Sequence, residues 1–155
     1  PAMKPALLAL PALISAAVVQ AAEPTPLDRS MASQLADPAR HRQPTVVALW
    51  SLDCSHCKKN LQILSDLAKK HRRLRVLTVA AEVATAEHQP LLTRFALSGP
   101  AYAYGNDSPE SLAYALDSGW AGELPRTFLY DGKGGQRKVS GVLSAIDIER
   151  ATGLR

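Results

Sequence analysis

The chain has 155 residues, 46% of them hydrophobic and 21% charged, with aromatics at 5%, eleven prolines and two cysteines. Such a chain is expected to form one domain whose core stands without staples, which excludes collagen-like, coiled-coil, disordered and disulfide-scaffold classes. The formal charge of +4 is spread along the chain and the few aromatics do not interleave with it, so no nucleic-acid partner is expected.

Met3-Lys4 opens a short basic segment, followed by an apolar run from Leu7 to Val19 and then Val19-Gln20-Ala21, with small residues where a signal peptidase reads them. Residues 1–21 therefore read as a secretory signal peptide cleaved after Ala21, with Ala22 as the next candidate. Pro1-Ala2 ahead of the methionine reads as a cloning remnant. An uncleaved anchor fits less well, because the run of 13 residues carries Pro11 and a spanning helix needs about 20 apolar residues. Export to the periplasm would place both cysteines in an oxidising space.

Residues 22–44 hold Pro24, Pro26, Pro38 and Pro44 and no sustained periodicity, so they read as a lead-in with one short helix around Ser30–Ala36. A domain is expected over 45–155. Thr45–Trp50 is a short apolar, β-branched run behind Pro44, which predicts a buried strand. An amphipathic helix is expected to begin at the cysteines and run to His71, with Leu61, Leu64, Leu67 and Ala68 on one face. Arg75–Ala81 supplies a second buried strand and completes a βαβ unit.

Further along, Thr85–Leu97 reads as a helix with Pro90 in its first turns, stopped by Ser98-Gly99-Pro100. A short extended piece at Tyr102–Tyr104 precedes a helix capped by Ser108, with Pro109 at its first position, running to Asp117. Arg126–Tyr130 and Gln136–Ser140 flank a glycine-rich turn and predict a hairpin, and Ser144 caps a last helix to about Thr152. This order implies an α/β fold, a central mixed sheet with helices on both faces.

The chemistry lies in Trp50-Ser51-Leu52-Asp53-Cys54-Ser55-His56-Cys57-Lys58, a C-x-x-C where a strand enters a helix. Two intervening residues let the sulfurs bond and separate without moving the backbone, and the unpaired N–H groups of a helix start favour a thiolate. Cys54 is the expected nucleophile and Cys57, one turn further in, the resolving thiol. His56 and Lys58 would lower the thiolate pKa and Asp53 would raise it. An inert disulfide is the plain alternative. A zinc pair finds no second C-x-x-C, and His41, His71 and His88 show no ligand spacing, whereas copper on the two soft sulfurs stays open.

With these residues in view, the chain resembles the exported TlpA/ResA-like thiol-disulfide oxidoreductases of thioredoxin fold over roughly Thr45 to Gly153. Trp50-x-x-x-Cys54-x-x-Cys57-Lys58 is similar to that family's first motif, and Gly122-Glu123-Leu124-Pro125-Arg126-Thr127-Phe128-Leu129-Tyr130-Asp131 to its second. The resemblance implies a three-layer thioredoxin-like fold and a cis-proline at Pro125. Leu124, Pro125 and Trp50 would form the substrate platform, although Trp50 also ends a buried strand. Trp120, five residues before Pro125, reads either as a further platform residue or as core packing. The resemblance also implies a redox-active disulfide with no further cofactor or metal, client protein thiols or disulfides as partners, and a membrane electron donor or acceptor for recycling. No arm long enough for a separate dimerisation domain is visible, so a monomer is expected.

Departures stand beside it. Asp53 precedes the first cysteine, Ala48 stands where thioredoxin keeps a buried acid, and Asn60 where the cytochrome-maturation branch often has glutamate. Glu82 is a substitute acid, though a solvated charge is the plainer reading, as it is for Arg126. Ser55-His56 between the cysteines resembles the oxidising DsbA and isomerase pattern, whereas the TlpA-like resemblance implies a reductant.

Overall fold

The computed structural model describes residues 1–6, 10–17 and 19–155. Leu7, Leu8, Ala9 and Val18, which fall within the apolar run read as a signal segment, lie outside the described residues. Among the described residues no helix is long and apolar enough to cross a membrane.

The elements in chain order are β1 (Thr25–Leu27), α1 (Arg29–Ala36), β2 (Thr45–Trp50), α2 (Ser55–Lys70), β3 (Arg75–Val83), α3 (His88–Arg94), β4 (Ala101–Tyr104), α4 (Pro109–Leu116), β5 (Arg126–Tyr130), β6 (Gln136–Ser140) and α5 (Ala145–Thr152). One six-stranded sheet has the order β1-β4-β3-β2-β5-β6. β1, β4, β3 and β2 run parallel, and β5 and β6 are antiparallel to their neighbours.

β2 explains how the sheet gathers two layers of helices. It is buried along its whole length, and successive side chains of a strand point to opposite faces. Val46, Ala48 and Trp50 enter one core with Leu61 and Leu64 of α2, Leu92 of α3 and Ile148 of α5. Val47 and Leu49 enter the other with Leu35 of α1 and Leu112 and Leu116 of α4. Fully burying one such side chain is worth about 1.5–3 kcal/mol. The expected mixed sheet, covered on both faces, is what the chain forms.

The stretch 22–44 does more than lead in. β1 adds a parallel strand beside β4, and α1, capped by Asp28 whose carboxylate accepts from the Met31 N–H, packs in the second core. The Gly105 N–H donates to Leu27 O at 3.0 Å, and a Cβ on Gly105 would stand 2.7 Å from that oxygen. Glycine at this position lets the two strands meet. Ala21 also packs, its N–H on Thr93 Oγ1 at 3.0 Å and its carbonyl accepting from Gln89 at 2.8 Å.

α3 is shorter than the Thr85–Leu97 expected. Thr85 is drawn off by His88, whose Nδ1 accepts its N–H. At the other end Ala96 adopts φ +53°, the left-handed region that an L-residue enters only at a cost of about 1–2 kcal/mol, and there the helix stops. Ser108 and Ser144 cap α4 and α5, each accepting an N–H three residues on.

Candidate active site

Three residues separate the end of β2 from the cysteines, and Ser51, Leu52 and Asp53 close a turn in which Ser51 O accepts the Cys54 N–H at 3.3 Å. Cys54 is the N-cap of α2, and its Sγ accepts the Cys57 N–H at 3.1 Å. Cys54 and Cys57 form a disulfide with their Cα atoms 5.2 Å apart. Cys57 is sealed at 0% exposure, whereas Cys54 is only half-buried. Cys54 is thus the less enclosed of the pair, at a helix end whose amides favour a negatively charged sulfur. Asp53 and His56 are exposed and Lys58 is half-buried beside them.

The second motif stands next to the first because β5 pairs with β2. Arg126 opposes Leu49, so Pro125 lies one residue further, at the end of β2 that feeds the cysteines. The Leu124–Pro125 peptide is cis, and Pro125 O accepts the Gly141 N–H at 2.9 Å. Asn60, buried on α2, donates to Thr127 Oγ1 at 3.0 Å and accepts the Leu143 N–H at 3.3 Å. It ties the redox helix to β5 and to the approach of α5, a use of this position that differs from an acid.

Arg126 corrects its sequence reading. It is not a solvated cation but 16% exposed and paired with Asp117 at 2.7 Å. Burial pushes the Asp117 carboxyl up, but the Arg126 hydrogen bonds, the Gly119 N–H and the charges of Lys138 and Arg126 together hold it below the usual carboxylate range.

The two tryptophans divide. Trp50, assigned to the platform by resemblance, is 1% exposed and belongs to the core, where its ring meets His88 in a T-shape at 5.4 Å. A residue so enclosed cannot lie under a substrate. Trp120 is half-buried, its indole N–H donating to Glu123 O at 2.8 Å. With Tyr104, Tyr114 and Leu124 it lines an open groove of about 470 Å³. Burial pushes the Tyr104 hydroxyl up to about 12, so it stays protonated. A second groove of about 580 Å³, on the α3 side, is lined by Leu52, Asp53, Lys58 and Arg94.

Glu82 is likewise not a free charge. Its Oε2 accepts the Leu52 N–H at 2.7 Å and the His88 Nε2–H at 3.1 Å. His88, passed over in the sequence because it has no ligand spacing, is buried at 0% exposure. Its one sequence signal was its place in the connection just after the strand that carries Glu82. Among the described residues no group of three or more His, Cys, Asp or Glu is placed to hold a metal ion.

No protein-family model matches the chain, and no curated protein matches it. Solved structures do. A secreted Mycobacterium tuberculosis disulfide oxidoreductase homologous to E. coli DsbE is 15% identical, over 74% of this chain and 84% of that one, with a TM-score of 0.59. A thioredoxin-related protein from Neisseria meningitidis serogroup B is 19% identical over 72% and 84% of the two chains, with a TM-score of 0.56. The chain has the thioredoxin-like fold. A secreted thiol-disulfide isomerase from Corynebacterium glutamicum shares this thioredoxin-like architecture at 19% identity, over 72% of this chain and 70% of that one, with a TM-score of 0.56. In the thioredoxin-like frame, the disulfide sits where β2 gives way to α2, with Pro125 on the adjoining strand.

Proposed function

We propose that the chain is a thiol-disulfide oxidoreductase that acts on exported proteins through Cys54 and Cys57, working in the periplasm as a reductant of client disulfides. The observation that carries this reading is the disulfide at the start of α2, with Cys54 half-buried and Cys57 fully buried. An inert staple has no need of that asymmetry.

In the reduced protein the Cys54 thiolate attacks one sulfur of a client disulfide. A Cys54–client bond forms, and the other client sulfur leaves as a thiolate and takes up a proton. Cys57 then loses its proton and attacks Cys54 Sγ from within, which releases the second client sulfur and closes the Cys54–Cys57 disulfide. The second client thiolate is protonated in turn, so that, counted from the Cys54–Cys57 dithiol, the protein gives up two electrons and two protons and the client gains as many. The same steps run backward oxidise a client. A membrane thiol donor would return the pair to the dithiol.

Leu124 and Pro125 offer backbone on which a client segment lies, and Trp120 a wall of the adjoining groove. His56, exposed one residue before Cys57, supports the opposite direction, an oxidant or isomerase. Glutathione titration of the pair decides between them. A potential near about −270 mV supports the reductant, and one near about −120 mV overturns it. A wild-type protein that reduces no insulin disulfide would sink the enzyme reading altogether.

Export rests on the Met3-to-Ala21 pattern and is tested by the mass of the protein recovered from the periplasm. Cleavage after Ala21 leaves 22–155 and removes the Ala21 contacts with α3. A monomer is proposed, and its test is light scattering of the recovered protein.

A further inference from the structure

We propose that Glu82 is a positioning residue for the redox turn, fixing the approach to Cys54 by accepting the Leu52 N–H while buried His88 holds its carboxylate in place. The inference rests on the exchange reaction proposed above and assigns that site a support outside both of its motifs.

Three independent features converge on Glu82. The first is the backbone. The parallel pairing of β3 with β4 is regular as far as Ala80 opposite Ala103, then shifts so that Val83 opposes Tyr104. Ala81 and Glu82 are left without partners of their own on β4. Irregularities of this kind are uncommon between parallel strands, and beside active sites they re-aim a side chain or end the pairing. Here the side chain re-aimed is the one that reaches Leu52.

The second is His88. The Thr85 N–H points at its Nδ1 at 2.9 Å, with Thr85 Oγ1 at 3.2 Å. Nδ1 must therefore offer a lone pair, which places the ring hydrogen on Nε2, facing Glu82 Oε2. Trp50 fixes the ring from β2. A fully enclosed imidazole with both nitrogens satisfied is a rigid donor, and it explains why α3 begins where it does.

The third is the balance of charge and donors at the carboxylate. Among the described residues Glu82 pairs with no Lys or Arg, and both hydrogen bonds go to the same oxygen, Oε2. That oxygen spans from β3 to the turn between β2 and α2, and Leu52 stands two residues before Cys54. A displaced Leu52 amide would move Asp53 and the cap on which the Cys54 sulfur receives the Cys57 N–H.

Glu82→Gln keeps an acceptor oxygen and removes the charge, whereas Glu82→Ala removes both. Each is made in the full chain and its Cys54–Cys57 pair equilibrated with glutathione. Cys54 alkylation by iodoacetamide is followed against pH in a Cys57→Ser background. Glu82→Ala is expected to shift the glutathione equilibrium constant by about three- to tenfold, the worth of one lost hydrogen bond, and to move the alkylation profile. Glu82→Gln is expected to stay within about twofold of wild type.

Amide hydrogen exchange in the wild-type protein supplies a readout that needs no variant to fold, and Leu52 is expected to be protected. A Glu82→Ala protein that matches wild type in both equilibria, a Glu82→Gln protein as altered as Glu82→Ala, or a freely exchanging Leu52 amide in wild type overturns the assignment. None of these readouts requires a client. Absence of disulfide turnover in wild type would therefore remove the proposed function without imitating any of them.

Discussion

The Arg126 guanidinium donates twice to one oxygen, Oδ2 of Asp117, from Nε at 3.2 Å and Nη2 at 2.7 Å. The other carboxylate oxygen accepts the Gly119 N–H at 3.1 Å and faces Lys138 Nζ at 3.6 Å. This pair closes the loop that carries Trp120, Leu124 and Pro125. The grip on that loop is therefore electrostatic on one side and, through the Gly141 N–H on Pro125 O, backbone on the other.

Asp117→Asn is expected to lower stability at pH 7 by about 1.5–3 kcal/mol, the range for hydrogen bonds to a charged group. The folded-state carboxyl lies below its ordinary value, so its stabilisation is present above the unfolded pKa and fades as pH falls through the folded one. Urea unfolding between pH 3 and 7 should show the wild-type and Asn curves converging in acid.

Cys54→Ser is expected to abolish disulfide reduction. Cys57→Ser should instead accumulate a mixed disulfide between Cys54 and the client, because attack still proceeds and resolution does not. Non-reducing electrophoresis and intact mass distinguish the two. Client captured equally by both variants would contradict the assigned order of attack.

His56→Ala is expected to make the pair more reducing, moving the glutathione equilibrium constant by roughly three- to thirtyfold, equal to about 15–45 mV for a two-electron couple. An exposed imidazole beside the first turn can favour a thiolate when protonated. An unchanged constant would show that the helix amides alone set the poise.

Asn60→Leu should cost about 1–3 kcal/mol, since it buries Thr127 Oγ1 and the Leu143 N–H without the partner they now share. Thermal unfolding checks the loss. Asn60→Asp is expected to keep an acceptor for the Leu143 N–H and to remove the N–H that Thr127 Oγ1 accepts.

Reduced His71 contacts test the opposite end of α2. The His71 hydrogen bond holds the Glu149 carboxyl below its ordinary range, against burial, with Lys70 helping. Glu149→Gln is expected to lower the Tm by a few degrees at neutral pH. The difference should shrink as acid protonates the wild-type carboxylate, because a depressed folded pKa contributes stability only above it. Parallel melting curves at every pH would contradict this.

What could be read from the sequence was local. The C-x-x-C, the Ser108 and Ser144 caps and the hairpin around Asp131-Gly132 are each decided within a few residues, and each stands in the structure as expected. The strands expected at Thr45–Trp50 and Arg75–Ala81 announced themselves by their apolar, β-branched runs, and the second continues to Val83 in the structure. The misses were long-range. β1 has three residues, one of them proline, and acquires its identity only by lying beside β4, 77 positions on. Arg126 looked solvated because nothing in its neighbourhood predicts that the chain from Asp117 folds back onto it. Glu82 and His88 owe their roles to an irregular pairing and a short helix start, neither of which has a composition signal.

The two outermost strands of the sheet bear on how another chain can meet it. A bare strand edge is a template for any extended polypeptide that approaches it. Here β1 ends the sheet on one side, only three residues long and interrupted by Pro26, which has no N–H to offer. β6 ends it on the other with Arg137 and Lys138, whose charges resist uninvited pairing. Both borders of the sheet are thus poor templates for strand addition, and an extended chain that meets this protein is expected to dock elsewhere than on a sheet edge.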